Sequence, residues 1–179
     1  MRIIFFGSDP WFSPPVLGAL LKAGHEVPVV VIKGDALDEG KRQKAKGKRQ
    51  FIIIQAKNQA DISLESIRSS FFLFPSSFTR PDVVVLAAFG PPFLPAEVLS
   101  WPKYGCLNVH ASLLPRWRGA SPVFGAISNG DKETGVSIMR MTEEIDLGPV
   151  LGQQRTVLSR KGPSSLENRE SLTRRLGIL

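Results

Sequence analysis

The stretch MRIIFFGSDPWFSPPVLGALLKAGHEVPVVVI, residues 1–32, decides the fold. Residues 2–7 are an almost unbroken apolar run closed by Gly7, the pattern of a strand buried on both faces. Ser8, Asp9 and Pro10 read as a loop, after which Val16, Leu17, Leu20 and Leu21 recur at helical spacing. Pro14 and Pro15 suit the first turn of that helix, where a missing N–H costs nothing. Gly24 suits its end, because glycine tolerates the left-handed conformation just past a helix. Residues 25–32 then read as a second strand, with Pro28 near its start or on an edge because it cannot donate to a ladder. Strand, helix, strand in so short a stretch is a βαβ unit, which implies a parallel sheet and a right-handed crossover.

Further strands are expected at 83–88, 106–110 and 136–141. Helices are expected over 96–100, around 122–128, and over 164–176, the last capped by Ser164 or Ser165. Residues 51–60 fit a helix, although Phe51 to Ile54 alone fit a strand equally well. Residues 61–80 show no clear period, with Phe71, Phe72, Leu73 and Phe74 set among serines and prolines, and receive no element. The pattern is that of an α/β fold, Rossmann-like, with an open, mostly parallel sheet flanked by helices. No linker or internal repeat divides the chain, so residues 1–179 are expected to be one domain.

Composition narrows the function classes. At 42% hydrophobic and 22% charged residues the chain reads as an ordinary globular protein rather than a disordered one. No apolar run approaches the roughly 20 residues of a membrane span, and the first segment is too short for a signal peptide. The single cysteine, Cys106, excludes an intrachain disulfide and a multi-cysteine metal site, and two histidines, His25 and His110, leave little for a zinc centre. His25 reads as structural, following a helix-ending glycine, and Cys106 as a packing residue in a buried strand. The net charge of +7 favours an anionic partner such as nucleic acid. Between residues 33 and 50 seven basic residues (Lys33, Lys41, Arg42, Lys44, Lys46, Lys48, Arg49) face three acidic ones, so more than half of that excess lies in one stretch. It fits a solvated loop, or a phosphate-contacting loop whose binding would depend strongly on salt.

The chemistry concentrates further on. Asn108 and His110, two apart on a strand, project from one face about 6.6 Å apart, with Leu107 and Val109 facing the other way. They stand at the C-terminal end of their strand, where open α/β sheets hold ligands. Taken alone, the pair could equally cap a loop and satisfy a backbone group. Next comes a loop, Ser112-Leu113-Leu114-Pro115-Arg116-Trp117-Arg118-Gly119-Ala120, with two arginines around a tryptophan. Glu143-Glu144-Ile145-Asp146-Leu147-Gly148-Pro149 forms an acidic turn after a later strand. Gly7-Ser8-Asp9 lacks the full G-x-G-x-x-G pattern and is weak evidence for a dinucleotide site.

Asn108-Val109-His110 followed by the Ser112 to Ala120 loop resembles the signature of the folate-dependent formyltransferases. The form Trp117-Arg118-Gly119-Ala120 is most similar to the methionyl-tRNA formyltransferases. Gly7, Thr134-Gly135-Val136 and Asp146-Leu147-Gly148-Pro149 extend the agreement over roughly residues 1–158. The resemblance implies the formyltransferase fold, 10-formyltetrahydrofolate as co-substrate and initiator methionyl-tRNA as acceptor. It implies action in the bacterial cytoplasm or mitochondrial matrix, without membrane contact. It assigns Asn108, His110 and Asp146 as the catalytic trio. An amine attacking the formyl carbon builds charge on the formyl oxygen, to which Asn108 can donate. His110 can stabilise the same charge or move the amine proton, and Asp146 orients the imidazole, directly or through a water. No metal is required by this chemistry.

The folate pocket is implied at Phe89, Gly90, Thr142, Glu143, Glu144 and Ile145, mostly through backbone groups, although Phe89-Gly90 reads equally as a strand end and turn. Ser112, Leu113, Leu114, Pro115, Arg116, Trp117 and Arg118 are expected to form a substrate loop, in which Trp117 could stack on substrate or anchor the loop. By the same resemblance Lys41, Arg42 and Lys44 contact tRNA, with Arg42 foremost. The family's further C-terminal β-barrel, which helps hold tRNA, is expected to be absent from a chain ending at Leu179, and a monomer is expected. Residues 61–80 and Gln50 to Ile54 depart from the family pattern, which bears on tRNA affinity. The alternatives are formyl transfer to another amine, such as an amino sugar or a glycinamide nucleotide, and a non-catalytic folate- or tRNA-binding fragment.

Overall fold

The structure, a computed structural model, describes residues 1–33, 52–57, 59–72, 80–90 and 93–158. Along the chain it forms β1 (Arg2–Gly7), α1 (Ser13–Lys22), β2 (Glu26–Lys33), β3 (Ile52–Ala56), a 3-10 turn (Gln59–Ile62) and α2 (Leu64–Phe72). Then follow β4 (Val83–Ala87), α3 (Ala96–Ser100), β5 (Cys106–His110), α4 (Pro122–Ser128), β6 (Glu133–Arg140) and β7 (Val150–Val157). The seven strands make one sheet in the order β3-β2-β1-β4-β5-β6-β7. Pairing is parallel from β3 to β5 and antiparallel at β5–β6 and β6–β7. The mostly parallel open sheet of the sequence reading is therefore present.

The apolar runs explain the layering. Along β1, Ile3 and Phe5 enter one core with Val16 of α1 and Val123 of α4, while Ile4 and Phe6 enter the other with Ile67 of α2 and Val98 of α3. A strand with helices on both faces has no polar face to show, so alternation vanishes from its sequence. The end of α1 follows its glycine: Gly24 has φ of 82°, its N–H donates to the Leu21 carbonyl (3.2 Å), and the His25 N–H donates to that of Leu20 (3.2 Å). These are the two bonds of a Schellman stop.

Four features complete the reading or depart from it. Pro28 is the third residue of β2, near its start as expected, in a strand flanked by β1 and β3. The β1 register moves from Arg2↔Glu26 to Ile4↔Val29, and the β3 ladder begins only at Val29↔Ile52. Pro28 thus occupies an irregularity where no ladder donor is required. Residues 52–56 are a strand rather than a helix, as the isoleucine run allowed, and α2 occupies part of the stretch given no element. Its start is marked by Ser63, whose Oγ accepts from the Ser66 N–H (3.2 Å), a cap the sequence reading overlooked. Strand β7, also unassigned, is an exposed edge whose sequence, VLGQQRTV, carries no clear alternation. The expected helix over 164–176 and the basic stretch 34–50 lie outside the described residues. Among the described residues no helix is long and apolar enough to cross a membrane.

Candidate active site

Strands β1, β4 and β5 finish side by side, Gly7 level with Ala87 and Ala87 with Val109. A Cβ on Gly7 would lie 2.6 Å from both Phe5 Cε1 and Ser13 Cβ, so α1 can start against the strand end only because residue 7 is glycine. Ser13 Oγ donates to the Ala87 carbonyl (2.6 Å) and Ser8 Oγ to that of Phe89 (2.8 Å), stitching the ends of β1 and β4 together.

Asn108 and His110 leave the same face of β5, opposite Met139 and Ser137 of β6. His110 is buried at 6% exposure and Asn108 is half-buried. Asp146 comes from the β6–β7 turn, which the Arg140 N–H closes by donating to the Pro149 carbonyl (2.9 Å). A side chain at Gly148 would collide with the Arg140 carbonyl oxygen, so that turn can fold back tightly only with glycine there.

The three expected side chains meet at the Asp146 carboxylate. Asn108 Nδ2 donates to Oδ1 (3.1 Å), and His110 Nδ1 lies 3.6 Å from Oδ2. Sequence reasoning missed two backbone groups that complete the cluster. The Gly119 N–H donates to Asp146 Oδ2 (2.8 Å), and the Trp117 carbonyl lies 2.9 Å from His110 Nε2. Arg118 Nε donates to the Asp146 carbonyl (3.0 Å), tying loop to turn. An amide carries two N–H donors, so Asn108 can hold Asp146 with one and serve a developing oxyanion with the other.

The loop expected to meet substrate is largely bound to the protein itself. Ser112 is buried, and its Oγ donates to the Arg116 carbonyl (2.7 Å). Leu114 is buried, its N–H donating to Ser137 Oγ (3.0 Å) and its carbonyl accepting from Gln153 Nε2 (2.8 Å). Leu113 packs where a side chain on Gly135 would stand. Pro115, Arg116 and Arg118 are exposed. Both Arg116 and the Trp117 indole are held by Asp131, a residue the sequence reading did not single out. Desolvation pushes the Asp131 pKa up, but hydrogen bonds from Asn129 and Trp117 and the Arg116 charge outweigh it, and the net shift is down.

Of the folate residues, Phe89 turns its ring into the core, edge-on to Phe6 with centroids 5.2 Å apart, so only its backbone can face a ligand. Gly90 is exposed with φ of 68°. Thr142 Oγ1 donates to the Glu144 carbonyl (3.1 Å), leaving Glu143 and Glu144 exposed, while Ile145 (53%) and Leu147 (48%) present apolar surface beside Asp146. Cys106 is buried, its thiol pushed up to about 12 by desolvation, which suits packing and not nucleophilic attack. Lys41, Arg42 and Lys44 lie outside the described residues.

The model of the family described as formyl transferase matches residues 1–173. The chain belongs to the formyl transferase family. Among the relatives of this chain is the methionyl-tRNA formyltransferase of Wolbachia pipientis subsp. Culex pipiens, 42% identical over 160 residues, covering 89% of this chain and 52% of that one. That of Ehrlichia chaffeensis is 44% identical over 156 residues, covering 86% and 50%. The chain therefore spans about half the length of these relatives. Solved structures share the fold at low identity. Phosphoribosylglycinamide formyltransferase of Anaplasma phagocytophilum has a TM-score of 0.71 at 21% identity, covering 98% of this chain and 79% of that one. A formyltetrahydrofolate deformylase of Pseudomonas syringae pv. tomato has a TM-score of 0.72 at 22%, covering 99% and 57%.

Proposed function

We propose that this formyl transferase domain moves the formyl group of 10-formyltetrahydrofolate to the amino group of methionyl-tRNA, preparing the initiator for translation. The observation that carries the reading is the cluster of Asn108, His110 and Asp146 at the end of β5. The names of relatives at 42% and 44% identity direct it toward methionyl-tRNA.

In this reading the amine nitrogen attacks the formyl carbon, and the carbonyl electrons move onto the formyl oxygen. Asn108 supplies a donor to that oxygen, in a site where fixed dipoles act strongly. His110 takes the amine proton. Collapse of the intermediate breaks the bond between carbon and folate nitrogen, and that nitrogen receives the proton as it leaves. Asp146 holds the Asn108 amide and faces the imidazole. The backbones of Phe89, Gly90 and Thr142 to Ile145 flank the folate, and the exposed Ile145 and Leu147 side chains offer its ring an apolar face. Lys41, Arg42 and Lys44 meet tRNA phosphates. Residues 1–179 act as one catalytic domain, in the bacterial cytoplasm or the mitochondrial matrix.

The test is formyl transfer to methionyl-tRNA at low salt and high protein concentration, beside Asn108→Ala. Formylated tRNA that disappears with the variant supports both reaction and residue. Folate turnover without formylated tRNA overturns the acceptor and retains formyl transfer. No turnover in either form overturns catalysis by this chain.

A further inference from the structure

We propose that Asp131 is a positioning residue that fixes, through Trp117, which nitrogen of His110 carries the permanent proton. The proposal rests on His110 being catalytic. Asp131 stands just beyond α4, where its N–H donates to the Ala126 carbonyl (3.0 Å). Its carboxylate accepts from the Trp117 indole Nε1 (2.7 Å), from Arg116 Nη2 at both oxygens (2.8 and 3.0 Å), and from Asn129 Nδ2 (2.8 Å). The Trp117 ring packs against α4, occupying the space a Cβ on Gly125 would need. Arg116 covers the ring with its guanidinium carbon 5.6 Å from the centroid.

So much anchoring has a local reason. Trp117 has φ of 58°, a left-handed conformation that is strained for a bulky residue. What that backbone achieves is to aim the Trp117 carbonyl at His110 Nε2, 2.9 Å away. A carbonyl has no proton to give, so an imidazole nitrogen at that distance must itself carry one. The exchangeable position is therefore Nδ1, which faces Asp146 Oδ2 at 3.6 Å. Asp131 thus sets the proton-bearing nitrogen of His110 without touching it.

The test is long-range 1H–15N NMR of the full chain labelled at histidine, with His25 as internal reference. The wild type is expected to show the neutral His110 imidazole with its proton on Nε2 and Nδ1 bare. Asp131→Ala is expected to mix the two tautomers, leave His25 unmoved, and lower kcat about a hundredfold while KM for the folate changes less than threefold. If that variant does not fold, Asp131→Asn keeps the shape and an acceptor for the indole but loses the charge on Arg116, and is expected to show the same change in smaller degree. An unaltered Nε2-protonated signal in whichever variant folds overturns the proposal. A tautomer change in a chain whose wild type transfers no formyl group leaves the clamp standing and removes the catalytic reading of His110.

Discussion

Replacing Asp146 by asparagine tests the site most directly, because its three neighbours do not respond alike. The Gly119 N–H can only donate, and it points at Oδ2. The new amide must therefore turn its oxygen toward Gly119 and its NH2 toward Asn108. Two NH2 groups would then oppose each other, and the Asn108 amide relieves this by inverting. Hydrogen bonds to a carboxylate contribute roughly 1.5–3 kcal/mol and neutral ones roughly 0.5–1.5. Two bonds made neutral thus cost about 2 kcal/mol of stability. Asp146→Ala strands both donors instead, at roughly 1–3 kcal/mol each, or about 4 kcal/mol. In the proposed mechanism inversion of Asn108 also re-aims its donor to the oxyanion, which should lower single-turnover formyl transfer by roughly 10²–10³. Urea unfolding followed by far-UV circular dichroism measures the stabilities, and rapid-quench kinetics the transfer. Equal destabilisation by both variants, or a change below about 0.5 kcal/mol in each, would show that the carboxylate does not hold these donors.

Further outcomes follow from single sites. Gly125→Ala gains about 1 kcal/mol of helix propensity but drives a methyl into the Trp117 ring; overpacking of roughly 1–3 kcal/mol should prevail, giving a lower Tm and a displaced Trp117 indole signal. Thr134 Oγ1 is buried with no hydrogen-bond partner among the described residues. Thr134→Val should therefore raise stability by about 1 kcal/mol, and a loss in urea unfolding would expose an unrecognised bond. Burial holds the Cys106 pKa at about 12, whereas the unfolded thiol ionises near 8.5. Its contribution is thus full below that value and falls by about 1.4 kcal/mol per pH unit as pH rises toward 12; Cys106→Ala should flatten that slope between pH 9 and about 10.5. If Lys41, Arg42 and Lys44 each meet a phosphate, tRNA binding should fall with log salt at a slope of about −2 to −3, and Arg42→Ala should reduce the slope by about 1.

The sequence displayed the sheet where burial leaves no choice of residue and hid it where burial is slight. Strands β1, β2 and β4 carry apolar side chains on both faces and could be read from their runs. Among the described residues strand β7 is an exposed edge, so Gly152 and Gln154 are tolerated and the period of two is lost. Helix α2 was obscured by a different cause. Its last residues Phe71 and Phe72 run straight into Leu73 and Phe74, which blurs the helical period, and the informative signal was the small Ser63 cap. Pro28 near the start of β2 was legible because the rule concerns the missing donor, and the β1–β2 irregularity there removes the need for one.

The site was legible in a corresponding way. Asn108 and His110 share a face by strand periodicity alone, but Asp146 could be joined to them only through resemblance, since it lies 36 positions beyond His110. Gly119 and Trp117 act through backbone atoms, which no residue type announces. Asp131 was invisible because its importance lies in what it holds, an indole and a guanidinium contributed by a loop.

Two non-glycine residues with left-handed backbones, Trp117 (φ 58°) and Asp146 (φ 51°), stand on either side of His110. Their costs differ: aspartate enters that region readily, while a bulky tryptophan does not. Asp146 can therefore be kept in place by a tight turn alone, which Gly148 permits. Trp117 needs an external hold strong enough to exceed its conformational penalty. Its bond to Asp131 is charge-assisted and part-buried, worth roughly 1.5–3 kcal/mol, whereas the Arg116 pair is 61% exposed on the arginine side and adds at most about 1 kcal/mol. The indole bond is then the one that tips the balance. It follows that Trp117→Phe, which keeps the ring and loses the N–H, should disturb His110 more than Arg116→Ala does. The reverse order would place the hold in the guanidinium and the charge around it.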